Sequence, residues 1–168
     1  MMNSMNHWAD AFEAMPEEQF FKLIRLYLGE VQTPYNRQRL ISQLASFIKN
    51  AENTQSILSY LDKKDITFLT AIYLIPNVSQ QTLLDFFTGI GISDFYATLS
   101  NLSERLIIYS TKDKYSDNVC YHINPILFEP LKPYLSIESI FPEHKIENHF
   151  VEDSFCLSQN FLAAFISY

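Results

Sequence analysis

Between Asp62 and Asn124 the apolar period of this chain switches from that of a helix to that of a strand, and this switch constrains the fold more than any other feature. Apolar residues up to Leu106 recur at spacings of three and four, the period of an amphipathic helix. From Ile107 onward they alternate with polar ones, the period of a half-buried strand. Three helices are expected here. Asp62 caps the first, residues 63–75, with Asp65 three positions on as in a capping box, and Pro76 ends it. Its apolar residues form two stripes, Ile66, Leu69 and Tyr73 on one side and Phe68, Ile72 and Ile75 on the other. A helix apolar on two sides is buried on two sides, so it is placed between the N-terminal helices and the hairpin. Ser79 caps a second helix, residues 80–88, which buries Leu83, Leu84 and Phe87. After a turn at residues 89–91, Ser93 caps a third, residues 94–106, which buries Phe95, Leu99, Leu102 and Leu106. A strand at 107–111, a polar tip and a second strand with Val119, Tyr121 and Ile123 on one face complete a hairpin.

Upstream the pattern is helical throughout. Trp8 and Phe12 can share one amphipathic turn. Pro16, Glu17 and Glu18 suit a helix start, Phe20 to Leu28 give a wide apolar face, and Gly29 stops it. A second helix over 36–49 repeats Leu40, Ile41, Leu44, Phe47 and Ile48, and a short one from Asn53 turns Ile57, Leu58 and Leu61 inward. The predicted fold is mainly α with one β-hairpin. Residues 1–61 form an N-terminal helical subdomain packed on the unit at 62–135, and 136–168 form a long connection and a C-terminal helix.

Composition narrows the function. Three glycines in 168 residues leave little capacity for phosphate-cradling loops. Cys120 and Cys156 stand alone and read as two thiols in a reducing compartment. No stretch approaches the roughly 18 apolar residues that span a bilayer, and residues 1–10 hold no lysine or arginine, so a cytoplasmic chain without a membrane segment is expected. The net charge of −7 opposes nonspecific attraction to phosphate. No nucleophile motif appears, the pair Cys120 and His122 is not expected to meet, and no two carboxylates share a cleft. His144 and His149 lack the three or four converging ligands of a metal site. An enzyme, a cofactor and a metal are therefore not expected.

With the helix-turn-helix at 79–106, a strand directly after its second helix, and the hairpin to Ile123, residues 62–135 resemble the winged helix-turn-helix superfamily. The resemblance implies a module for DNA, RNA or protein contacts within larger machines. Leu23 to Leu28, a loop, and Arg37-Gln38-Arg39-Leu40-Ile41 with Leu44 are also similar to the helix-loop-helix of SAP domains, small DNA-associated modules. If nucleic acid is bound, the second helix of the helix-turn-helix would read it with its outward residues Asp94, Ala97, Thr98, Asn101, Glu104 and Arg105. Asn101 and Arg105 suit base or phosphate contact, but two acids against one arginine fit a phosphate-lined groove poorly. Lys112 and Lys114 at the hairpin tip are offset by Asp113 and Asp117. Lys22, Arg25, Arg37 and Arg39 are expected to converge, since their two helices should be antiparallel, and this is the best phosphate-binding candidate in the chain.

At the C-terminal end Ser158 caps a helix whose Phe161, Leu162, Phe165 and Ile166 form an apolar stripe. That stripe is expected either to pack back on the core or to mark a chain that continues into a further domain, the second being preferred. These features favour a non-catalytic module whose partner is a protein or a further domain of the same chain. Direct DNA binding is the alternative, and a homo-oligomer formed through the C-terminal stripe is a third reading.

Overall fold

In the computed structural model, residues 2–31, 33–112 and 118–141 are described. Among them the secondary structure is mainly α, with one two-stranded antiparallel hairpin. The order is α1 (Met2–Ala14), α2 (Glu17–Leu28), α3 (Arg37–Lys49), α4 (Ala51–Ser59), α5 (Lys63–Leu74), α6 (Gln80–Phe86), α7 (Ile92–Glu104), β1 (Ile108–Lys112), β2 (Val119–Ile123) and α8 (Phe128–Leu131).

Local chemistry sets most of the helix ends. The carbonyl-side oxygen of Asn36 accepts from Arg39 N–H, and that of Asn50 from Glu52 and Asn53 N–H. Asp62 and Asp65 form the reciprocal capping box, and Ser79 accepts from Thr82 N–H. Gly29, at φ +79°, ends α2 in a conformation that a side chain disfavours. The start of α7 departs from expectation: Gly91 and not Ser93 occupies the cap, so Ile92 and Ser93 join the first turn.

The end of α7 was not anticipated. Leu106 adopts φ +59°. Its N–H donates to Ser103 C=O and that of Ile107 to Leu102 C=O, each at 3.0 Å. These two bonds make a Schellman turn, with leucine where glycine is usual. Full burial of the Leu106 side chain, worth about 1.5–3 kcal/mol, outweighs the roughly 1–2 kcal/mol of left-handed backbone strain. The turn aims the chain into β1.

The hairpin pairs Ile108 with Ile123 through to Lys112 with Val119. Tyr121 N–H donates to Val78 C=O, and Ser79 bridges Cys120, so the stretch before α6 covers the far edge of β2. A two-stranded hairpin alone is marginal in water, and this third backbone partner secures it.

Helix α5 is buried on two sides as expected, with the hairpin on one side as expected but the 3-10 turn after α8 in place of the N-terminal helices as its other main neighbour. Its principal contacts are β2 and the 3-10 turn Ile137–Ser139. Thr67 Oγ1 donates to Ser139 C=O at 3.1 Å, and Thr70 Oγ1 shares a 2.8 Å bond with Ser139 Oγ. Residues 136–141 are therefore docked and do not form a free connection. Tyr73, expected in an inward stripe, is 42% exposed. Phe68 lies at the centre, stacked on Phe87 with ring centroids 4.1 Å apart and tilted against Phe95 at 5.6 Å.

Helices α2 and α3 run in the same direction, against the antiparallel expectation. Tyr35 and Arg37 at the start of α3 meet Glu17 and Phe20 at the start of α2, whereas Phe47 near the end of α3 meets Tyr27. A helix the length of α2 spans about 18 Å, and the connection after Gly29 is long enough to run back along it.

Candidate functional site

The parallel pairing undoes the proposed basic patch. Arg37 is turned inward: its Nη2 donates to Phe12 C=O at 3.0 Å and to Met15 C=O, and its guanidinium carbon sits 4.1 Å from the Phe20 ring centroid. It satisfies the free carbonyls at the C-terminal end of α1, where a cation also complements the helix dipole. Lys22 Nζ pairs with Glu104 Oε1 at 2.9 Å, across to the end of α7, and not with Glu18 on its own helix. Arg25 and Arg39 are exposed, with Arg25 level with the later turns of α3 and Arg39 in its first. The four cations do not form one surface.

Arg105 is corrected as well. It points toward the N-terminal end of α5, where Nη1 meets Asp65 Oδ2 at 3.0 Å and Nη2 donates to Ile57 C=O at 2.8 Å. The side chains of Arg105 and Asp65 are 20% and 9% exposed, so this is an internal strut between α7, α5 and α4. Thr98, also expected outward, is buried with its hydroxyl donating to Asp94 C=O at 2.8 Å. On α7 the open face is left with Asp94, Ala97 and Asn101, since Glu104 is paired with Lys22. Lys112 is exposed at the end of β1. Lys114, Cys156, His144, His149 and the stripe Phe161, Leu162, Phe165 and Ile166 lie outside the described residues.

One flank of α7 is engaged at its C-terminal end. Besides the Lys22–Glu104 pair, Tyr27 donates its hydroxyl to Glu104 C=O at 2.7 Å. Burial pushes the Tyr27 phenol pKa up, which keeps it a donor. Helix α2 therefore clasps the C-terminal end of α7. Between them and the hairpin lies a cleft of about 480 Å³. Phe12, Met15 and Leu23 line it from α1, the following turn and α2. Tyr96 and Leu99 line it from α7, and Ile108, Tyr109 and Tyr121 from the strands. Its polar groups are Gln19, Lys22, Ser100, Ser103, Glu104 and Ser110. Gln80 braces the rim, donating to Tyr96 Oη at 3.1 Å and accepting from Tyr121 Oη at 3.2 Å. An apolar hollow with a few placed polar groups, between three helices and a hairpin, has the character of a binding site. None of this was anticipated, because its walls are some eighty residues apart in sequence.

His7 and His122 join α1 to the hairpin. His7 stands edge-on to His122 with ring centroids 5.7 Å apart. Thr111 Oγ1 lies 2.9 Å from His122 Nε2, and the Tyr109 ring is 5.2 Å from the imidazole. Cys120 and His122, two apart on β2, share a face after all, but that face gives His122 its bond to Thr111. Burial lowers the His122 pKa from its ordinary 6.5, and repulsion from His7 lowers it further. The unfolded chain therefore takes up a proton near the ordinary value, while the folded chain resists until lower pH. Between those values the unfolded state holds more protons, and stability falls as pH falls. Melting temperature should drop between about pH 7.5 and 5.5, and His122→Gln should flatten the drop. An unchanged slope in the variant would assign the effect elsewhere.

Among the described residues no group of three or more His, Cys, Asp and Glu could hold a metal ion. No helix among them is long and apolar enough to cross a membrane. A family described as an N-terminal domain matches residues 1–49, which are α1 to α3, ending where α3 ends. No curated protein and no solved structure matches the chain.

Proposed function

We propose that residues 62–135 form a winged helix that serves as a non-catalytic protein-contact module, working within a larger or nucleic-acid-processing assembly in the cytoplasm. The observation that carries this reading is the clasp of α2 on α7. A helix enters the major groove of DNA, about 12 Å wide, only if both its flanks are free. Here the C-terminal end of one flank is held by Lys22 and Tyr27 through Glu104, and the remaining face presents Asp94, Ala97 and Asn101. Arg105, the cation that face was expected to offer, is spent on Asp65. The basic residue at the centre of the SAP-like segment, Arg37, is likewise spent on α1. The contact face is then acidic and apolar, which suits a protein better than a phosphate backbone. The non-catalytic reading rests on the same point, since Glu104 in the cleft is already paired with Lys22. The free thiol of Cys120 accords with a reducing compartment.

The test is retention of duplex DNA at about 50 mM salt, where phosphate attraction is strong. No retardation is expected at micromolar protein. Retardation that weakens with salt at a slope of about −0.9 per phosphate neutralised would replace this reading with direct DNA binding.

A further inference from the structure

We propose that the open edge of β1 takes up an extended segment of a protein partner, which lies in the cleft as a third strand and sets an acidic residue against Lys112. The inference rests on the protein-contact reading and adds the place, the backbone form and the charge of what is held.

The ladder shows which backbone groups are unpaired. Asn124 N–H donates to Ile107 C=O at 2.8 Å. Bonded positions alternate along an antiparallel pair. On β1, therefore, Ile107, Tyr109 and Thr111 turn their backbone groups toward β2, and Ile108, Ser110 and Lys112 turn theirs away. Tyr121, opposite Ser110, has the same phase, since its N–H reaches outward to Val78 C=O. The stretch before α6 thus closes the outer edge of β2. The outer edge of β1 stays open: among the described residues, the backbone groups of Ile108, Ser110 and Lys112 have no hydrogen-bond partner. Ser110 and Lys112 are exposed. Ile108 is buried at the inner end, where unpaired backbone groups most need a partner.

The cleft follows this edge. The side chains of Ile108 and Ser110 stand on one face of the hairpin with Tyr121, and that of Tyr109 stands on the other. All four residues line the cleft. A hollow that touches both faces of a strand passes around its edge. Gln19, Lys22 and Leu23 of α2 form the far wall, so the space between β1 and α2 is a slot for one more strand. Phe12, Met15 and Leu99 complete an apolar lining, which suits a strand rich in β-branched residues.

The charge follows from what is left unpaired. Lys22 and Glu104 satisfy each other, so the slot itself is neutral. Lys112, at the outer end of the edge, is exposed and forms no ion pair among the described residues. The residue opposite it on an added strand lies about 5 Å away between Cβ atoms, within reach of a carboxylate. Main-chain bonds then hold the segment, and this pair fixes its register.

The experiment uses the full chain and a fluorescein-labelled peptide of about nine residues, alternating valine and threonine, with a glutamate at each end so that either strand direction serves. Its counterpart carries esters in place of the three central amides, which removes N–H donors and keeps side chains and charge. Anisotropy should show binding of the amide peptide and at least about tenfold weaker binding of the ester. Ser110→Pro removes an N–H that faces away from β2, a place where a strand tolerates proline. It should melt near the unchanged protein and weaken the amide peptide about tenfold. Lys112→Glu should weaken it about fivefold, and a peptide ending in lysines should reverse that preference. Equal binding of the ester, or by a folded Ser110→Pro, would overturn strand addition while leaving protein contact standing. No binding of the amide peptide at about 1 mM would overturn it as well. An unaltered preference in Lys112→Glu would overturn the acidic residue. A dimeric mass that Ser110→Pro makes monomeric would give the edge to a second copy of this chain instead. Failure of the underlying reading shows separately, as DNA retention by the unchanged protein.

Discussion

Replacing Arg105 with alanine should cost about 3 kcal/mol of stability. For a chain of this size that is roughly 6–12 °C in melting temperature. The side chain looks dispensable in the sequence, sitting just past the last turn of a polar-faced helix. In the structure it holds Asp65 Oδ2 at 3.0 Å and Ile57 C=O at 2.8 Å, in a site where the two charged side chains are 20% and 9% exposed. Removing the cation strands a carboxylate with little access to water, and that penalty, more than the lost attraction, sets the size of the effect. Arg105→Lys should recover only part of it, because one ammonium cannot reach both acceptors as the guanidinium fork does. A double-mutant cycle with Asp65→Asn should show strong coupling. By contrast Lys22→Ala, at an exposed pair, should cost under about 1 kcal/mol. An Arg105→Ala protein that melts within a degree or two of the unchanged chain would show that Arg105 is a surface residue after all. The same result bears on function. A DNA-binding assay on Arg105→Ala would measure partial unfolding before it measured any contact, so the fold must be checked first.

The parts of the fold that were legible are those written in neighbouring residues. The capping box of Asp62 and Asp65, the cap at Ser79, the stop at Gly29 and the alternation of β2 each depend on side chains within a turn of one another. The direction of α3 relative to α2 was not legible, because the connection after Gly29 permits either sense and tertiary contacts choose. The Schellman turn at Leu106 carried no signal, since leucine is disfavoured there and only burial makes it tolerable. The site was legible least. Four cations within two neighbouring helices looked like a patch, but Arg37 and Lys22 are drawn to a helix end and a carboxylate far away in sequence. One clue did exist. Asp65 stands on a helix apolar on both sides, and a buried acid there needs a cation. Asking which one was available would have pointed inward to Arg105.

Changing Asn124 to aspartate should destabilise the protein by at least about 3 kcal/mol at neutral pH, and part of that loss should return on acidification. Asn124 is fully buried. Its Nδ2 donates to Leu106 C=O at 2.8 Å, its Oδ1 accepts from Ile126 N–H at 3.0 Å, and its own N–H donates to Ile107 C=O at 2.8 Å. One side chain thus ties the strained turn at the end of α7 to the end of the hairpin. Aspartate has the same shape and keeps the bond from Ile126. Against Leu106, however, it sets a carboxylate oxygen on a carbonyl oxygen with no proton between them. Protonation repairs that contact, so the folded carboxyl pKa must lie above its unfolded value of about 3.9. Between the two values the folded state holds more protons, and stability rises as pH falls, opposite in sign to the effect of His122. Placing Asn124→Asp in a His122→Gln background separates the two. Asn124→Ala should cost about 2–3 kcal/mol with no pH recovery of its own, since it orphans both partners without adding a charge. An aspartate variant as stable as the unchanged protein, or one indifferent to pH, would mean that Leu106 has another donor. The same variants reach the cleft, because the turn fixes how β1 and β2 stand against α7, and Ile108, Tyr109 and Tyr121 form one of its walls.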